Sequence, residues 1–364
     1  MQISFPYSLL SALILIAANA CERQFESQVA SNDKELSFNA FPITGDSVHY
    51  AYIATSYPDK VRGIKEAGIL CRINGYPVSE SGLLIPASQW YTDSYDDVME
   101  MPFKASIAPG DTVTIQVNAD GMSAFAEAVA PQKVTLVSVD SSTVHRMSGN
   151  DGPADYLNCK VRIRDIPGEE NYYRILCLMK YRISIDHIIH GSAPYKGNVG
   201  DIVQEGTVPV DIDNSSEPLL NKGIKVGSEG LLDKTLTNYY DNEYNLFTDD
   251  AFSDKEYTLN VNFPAAGNLV TLGRPSVTGS SRLIFREKRT LVIRVLSMNR
   301  DTYAYYNAYM FDNSEQSASD LIPYIPYPDN ISGGNGFFGI LTATDCEMEL
   351  PDIDDLFDRD PAAA

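Results

Sequence analysis

Metal chemistry would have to start from few imidazoles, because the chain carries only four histidines. Asp186-His187-x-x-His190 is the one constellation with metal-ligand residue types. On a helix its two histidines would share a face. The preceding KYRISI reads as a strand, where residues three apart point to opposite faces. The spacing also differs from the His-Glu-x-x-His of zinc hydrolases, so no metal site is expected there. Oxygen-rich loops are the other route to a cation. Asp211/Asp213, Asp249/Asp250/Asp254 and Asp352/Asp354/Asp355/Asp358/Asp360 are the acidic clusters. None has the Gly and terminal Glu of an EF-hand loop, and each reads as a solvated acidic turn. For hydrolysis there is no Gly-x-Ser-x-Gly, and no Ser or Cys stands beside an obvious His partner. Paired carboxylates for glycoside cleavage are defined only in three dimensions. The expectation is a protein with no catalytic residues and no cofactor, not an enzyme.

Cysteine chemistry is more informative. Residues 1–20 contain no Asp, Glu, Lys or Arg, and Leu9–Ala18 is almost wholly apolar. That run is short of the about 20 residues a membrane helix needs. It fits the apolar core of a secretory signal, closed by Ala18-Asn19-Ala20. Cys21 follows at once and reads as the lipidated first residue of a bacterial lipoprotein. Two departures stand beside that reading: no Lys or Arg precedes the apolar run, and Ala18 replaces the usual larger aliphatic residue. The alternative is plain secretion with Cys21 a bystander. Cys159 and Cys177 flank a predicted hairpin turning near Pro167-Gly168. In that register they would oppose one another, which makes them candidates for a disulfide. Buried free thiols are the alternative. Cys71 and Cys346 have no partner readable from sequence.

The elements that must position these residues are mainly strands. Of 364 residues 44% are hydrophobic, with 22 Tyr and 14 Phe, a β-leaning composition able to bury a sizeable core. The net charge of −21 disfavours nucleic acid and anionic membrane surfaces as partners. Residues 21–35 are a polar tether. From 36 to 131, alternating runs such as Ser47–Thr55, Gly68–Ile73 and Thr112–Val117 are separated by Asn74-Gly75, Pro109-Gly110 and Asp120-Gly121. This spacing predicts an immunoglobulin-like or related β-sandwich. A second β-rich unit is expected over 132–350, with strands near Cys159–Arg164, Tyr172–Ile185, Tyr257–Phe263 and Lys288–Leu296. Ile188–Thr248 is hard to assign. Ser297–Asp312 is the best helix, with Ser297 as its cap and its tyrosines packed into a core. An acidic tail, 351–364, closes the chain. The fold class is therefore mainly β: two β-sandwich units with one or more short helices in the second. The glycines of Asn330–Gly339 read as a turn beside the terminal strand, with Phe337 and Phe338 packed inward.

Several segments carry a resemblance when taken in order. They are SIAPGDTVTIQVNADGMSAFAEAVAP, NYYRILCLM, DDAFSDKEYTLNVNF, VIRVLSMNRDTYAYYNAY and YPDNISGGNGFFGILTAT. Together the chain resembles the Gram-negative lipoproteins catalogued as domain of unknown function 4249. The resemblance implies an outer-membrane, lipid-anchored β-sandwich protein without established activity. It also implies, by analogy with related surface lipoproteins, work beside a TonB-dependent receptor in nutrient capture. Trp90, Tyr91 and Tyr95 are the first candidates for partner contact, since Trp and Tyr are enriched in binding hot spots. A structural or adhesive surface protein is the alternative, and a hydrolase without recognisable motif ranks third.

Overall fold

A computed structural model describes residues 34–57, 60–62, 64–78, 85–86, 98–147, 153–189, 197–221, 224–226, 238–240, 242–264, 282–312 and 326–354. The first pass of the chain supplies β1 (Glu35–Ala40), β2 (Ile43–Thr44), β3 (Val48–Tyr57), β4 (Lys60–Arg62) and β5 (Ala67–Ile73). It continues with β6 (Tyr76–Pro77), β7 (Ile85–Pro86), β8 (Met99–Lys104), β9 (Thr112–Ala119) and β10 (Met122–Val129). The second part begins with β11 (Thr135–Met147), β12 (Pro153–Arg164), β13 (Tyr172–Ile189) and β14 (Ile202–Val210). Then come the short β15 (Ile224–Val226), β16 (Asn238–Tyr240) and β17 (Leu246–Thr248). The long β18 (Glu256–Pro264) and β19 (Arg282–Met298) lead to α1 (Arg300–Asp312), β20 (Asn335–Phe338) and β21 (Leu341–Asp354). The protein is mainly β, with one helix among the described residues, as the sequence predicts.

Two sandwich-like units result. In the first, a sheet ordered β20-β1-β3-β8-β7 covers a sheet ordered β10-β9-β5-β6. In the second, β11-β12-β18 covers β14-β13-β19-β21-β2. Strict alternation explains β9, where Val113, Ile115, Val117 and Ala119 are buried and the residues between them are not. Its hairpin to β10 turns on Asp120 and Gly121, both at positive φ, as a two-residue turn with the sheet's own twist requires. In β19 the run LVIRVL is apolar on both faces for a different reason. Leu291, Ile293 and Val295 enter the core shared with β12 and β18, while Leu296 and Met298 pack under Met310 and Phe311 of α1. Arg294 escapes by a bidentate pair with Asp345, both bonds at 2.7 Å.

The units exchange strands. β20, near the end of the chain, lies parallel to β1 at the edge of the first unit's sheet. Reciprocally β2, near the start, lies parallel to β21 in the second unit's sheet. The 131–134 linker is held between them, because Thr342 Oγ1 donates to Pro131 O and Thr344 Oγ1 to Val134 O. The backbones at β20 come very close. A Cβ on Gly334 would stand 2.2 Å from Leu36 O, and one on Gly336 2.1 Å from Phe38 O. The Gly-rich stretch is thus a strand that only glycine can bring to β1, and Phe337 and Phe338 are buried as expected.

Three expectations are corrected. Cys159 and Cys177 do not belong to one hairpin: β12 pairs with β11 and β18, whereas β13 pairs with β14, β17 and β19. The Pro167-Gly168 turn carries the chain from one sheet to the other, because both strands have partners with longer apolar registers elsewhere. Ser297 does not cap the helix. It is buried within β19, which runs on to Met298, and Asn299 O accepts the first helical bond, from Tyr303 N. The terminal strand, expected near Gly339–Thr344 before an acidic tail, is longer: β21 pairs with β19, through a register shift between Glu287 and Arg289, as far as Asp354 opposite Arg286.

Candidate functional site

The most constructed concavity lies where the two units meet. The end of β10 brings Glu127 and Val129, the first turn of α1 brings Asp301 and Thr302, and β20 brings Phe337 and Phe338. They enclose about 250 Å3. Two asparagines set the walls. Asn299 Nδ2 donates to Val129 O at 3.1 Å, tying α1 to the first unit. Asn330 clamps Phe338, donating to its carbonyl and accepting from its N–H, both at 2.8 Å. Thr302 is 1% exposed, lines the space, and has no side-chain hydrogen bond among the described residues. Glu127 accepts one bond from Thr114 Oγ1 at 3.3 Å. Neither Glu127 nor Asp301 has a cationic partner among the described residues. Sequence reasoning placed these residues in three separate segments; nothing in their spacing signals that they meet.

Other polar groups are committed to the fold. Glu217 is 1% exposed, and accepts from Tyr257 Oη (2.8 Å), Asn260 N (2.6 Å) and Leu219 N (3.1 Å). It pins 211–221 onto β18, beside a ladder in which Asn158 Nδ2 donates to Asn260 and Asn262. Asp165 accepts from Tyr173 Oη and Asp254 N. Burial raises the Asp249 carboxyl above the ordinary range, partly offset by the N–H groups of Asn171. Asp250 accepts from Thr248 and Asp254 from Gly168, so these acids serve turns. Glu287 and Arg289 are buried on β19; Arg289 donates to Pro351 O at 3.3 Å, while Glu287 Oε1 and Arg289 Nε have no hydrogen-bond partner among the described residues. Burial pushes the Glu287 carboxyl up, and the Arg289 charge only partly offsets this. On the solvent face of the same sheet, Lys180, Arg182 and Lys288 line a shallow groove of about 500 Å3. Glu347 pairs with Lys180 and Glu205 with Arg182, leaving little net charge there.

The predicted site residues fall as follows. Cys21, Trp90, Tyr91, Tyr95 and His190 lie outside the described residues. His187 is exposed and contacts Asp186, whose carboxylate also pairs with Arg286 at 3.1 Å. Among the described residues no group of three or more His, Cys, Asp or Glu could hold a metal ion. His49 is buried against Phe103 and bonded to Ala105 O, and burial lowers its pKa. Cys159 and Cys177 are free, buried thiols that face the same core as Cys346. Burial raises Cys71 to about 11 and Cys159 to about 12, and raises Cys177 further still. Since the thiolate is the reactive form, these three should resist iodoacetamide at neutral pH until the protein unfolds, with the half-buried Cys346 labelled first. Mass counting under denaturing, non-reducing conditions checks this; two fewer labels would reveal a bridge.

A family model described as "Domain of unknown function (DUF4249)" matches residues 22–346. No curated protein matches the chain. Among solved structures, one titled "Biofilm associated protein - BSP domain" is similar at 8% identity, over 85% of this chain and 58% of that one, with a TM-score of 0.16. The chain thus spans well under two thirds of that structure's length, and a score so low supports no argument. The family match covers most of the chain from the tether through β20 and into β21, so the chain belongs to the DUF4249 family.

Proposed function

We propose that this is a lipid-anchored protein of the outer membrane that binds a ligand or partner without transforming it, as an accessory to a TonB-dependent uptake receptor. The observation that carries the reading is the charge-free, apolar segment before Cys21, followed by a polar tether and then a β-rich body. The structure is consistent with that division of labour. Its first strand begins at Glu35, directly after the tether, and its buried thiols and His49 are held in forms poorly suited to nucleophilic work. No helix among the described residues is long and apolar enough to cross a membrane. The test is metabolic labelling with a palmitate analogue in the native bacterium. Label on the wild-type chain and none on Cys21→Ser is the expected result; equal label on both overturns the anchor. Cross-linking of the labelled protein in intact membranes should recover a TonB-dependent receptor, and its consistent absence overturns the accessory role.

A further inference from the structure

We infer that the pocket between the two units binds a small molecule carrying protonated amino groups; this rests on the ligand-binding reading above and gives it a chemical class. The inference starts from charge. Glu127 and Asp301 place two carboxylates at the pocket, and neither is neutralised by a cation among the described residues. The N-terminus of α1 opposes them with only about half a positive charge, so the local field favours a cation. The second observation is independent of the acids. Thr302 is 1% exposed, yet its hydroxyl has no hydrogen-bond partner among the described residues while its residue lines the space. A hydroxyl without such a partner, on a residue that lines the cavity, is free to bond a ligand atom there. The third is construction. Both wall asparagines are fixed by bonds to backbone carbonyls, and the floor is Phe337 and Phe338, each 1% exposed. Polar groups converging over an aromatic floor are a feature that small-ligand sites share. Its volume of about 250 Å3 admits a compact solute and not a peptide helix or a glycan chain.

The probe is 1,4-diaminobutane, titrated into the whole purified protein by calorimetry at about 0.15 M salt, where diffuse surface attraction is screened. Saturable one-to-one binding is expected, with 1,4-butanediol inert. Asp301→Asn and Glu127→Gln should each weaken binding by about two- to fivefold, the weight of one exposed ion pair. Thr302→Val, which keeps the shape, should weaken it less, and Asp140→Asn, on β11, should change nothing. An absence of saturable heat, equal binding of the diol, or unchanged affinity in both carboxylate variants overturns the inference. The two readings fail separately. Loss of amine binding with Cys21 labelling intact removes this site alone, whereas saturable amine binding without labelling removes the anchor alone.

Discussion

Gly336→Val is expected to destabilise the protein by about 3–5 kcal/mol, enough to leave much of it unfolded at 37 °C. The backbone at Gly336 has φ +117°, which L side chains rarely adopt, and holding one there costs about 1–3 kcal/mol. Its Cβ would stand 2.1 Å from Phe38 O and 2.9 Å from the Phe38 carbonyl carbon, so backbone and not a flexible side chain must move. Forced overpacking adds roughly 1–3 kcal/mol. Gly68→Ala in β5 is the control, because nothing lies within 4 Å of a Cβ there, and its change should stay within about 1 kcal/mol. Urea unfolding followed by tyrosine fluorescence measures both. Because β20 closes the first sheet while the next residues open β21, one cooperative loss of both units is expected. A first unit that melts alone, with the second intact, would contradict this coupling.

Glu217→Ala is the second large effect, at about 3–5 kcal/mol. The carboxylate is buried and satisfies three donors at once: the Tyr257 hydroxyl and the N–H groups of Asn260 and Leu219. Removing it leaves each donor without its acceptor in a part-buried site, at roughly 1–3 kcal/mol apiece before relaxation and water entry. Glu217→Gln should recover about half of the loss. One oxygen remains to accept, and the Tyr257 hydroxyl can rotate to accept from the new amide, so only one backbone N–H is left facing a donor. Thermal melts of the two variants decide it. Equal destabilisation by Gln and Ala would show that charge, and not acceptor geometry, holds 211–221 in place.

The parts of this fold legible in the sequence are those fixed locally. Val113, Ile115 and Val117 alternate within one strand, and Asp120-Gly121 announces its turn without help from the rest of the chain. What was not legible depends on partners far away. The β12–β13 connection looked like a hairpin because its two arms alternate in matching register about Gly168, yet each arm finds a longer partner in a different sheet. Ser297 has the chemistry of a cap, but β19 continues past it because Met298 pairs with both Tyr172 and Leu341. The pocket was invisible for the same reason. Glu127, Thr302 and Phe337 are distant in sequence, and only the strand exchange between units brings them together. Glu217 looked like one acid among many until β18 supplied its donors.

The parallel pairing of β1 with β20 also sets a clock on biosynthesis. Asn39 Oδ1 accepts from Phe337 N, a bond between residues 298 apart. At about 5–20 residues per second, β1 leaves the ribosome roughly 15–60 s before its partner exists. Throughout that interval the apolar side of β1, with Leu36 and Phe38, belongs to a sheet lacking its last strand. The earliest strand made is therefore among the last to gain its full set of partners.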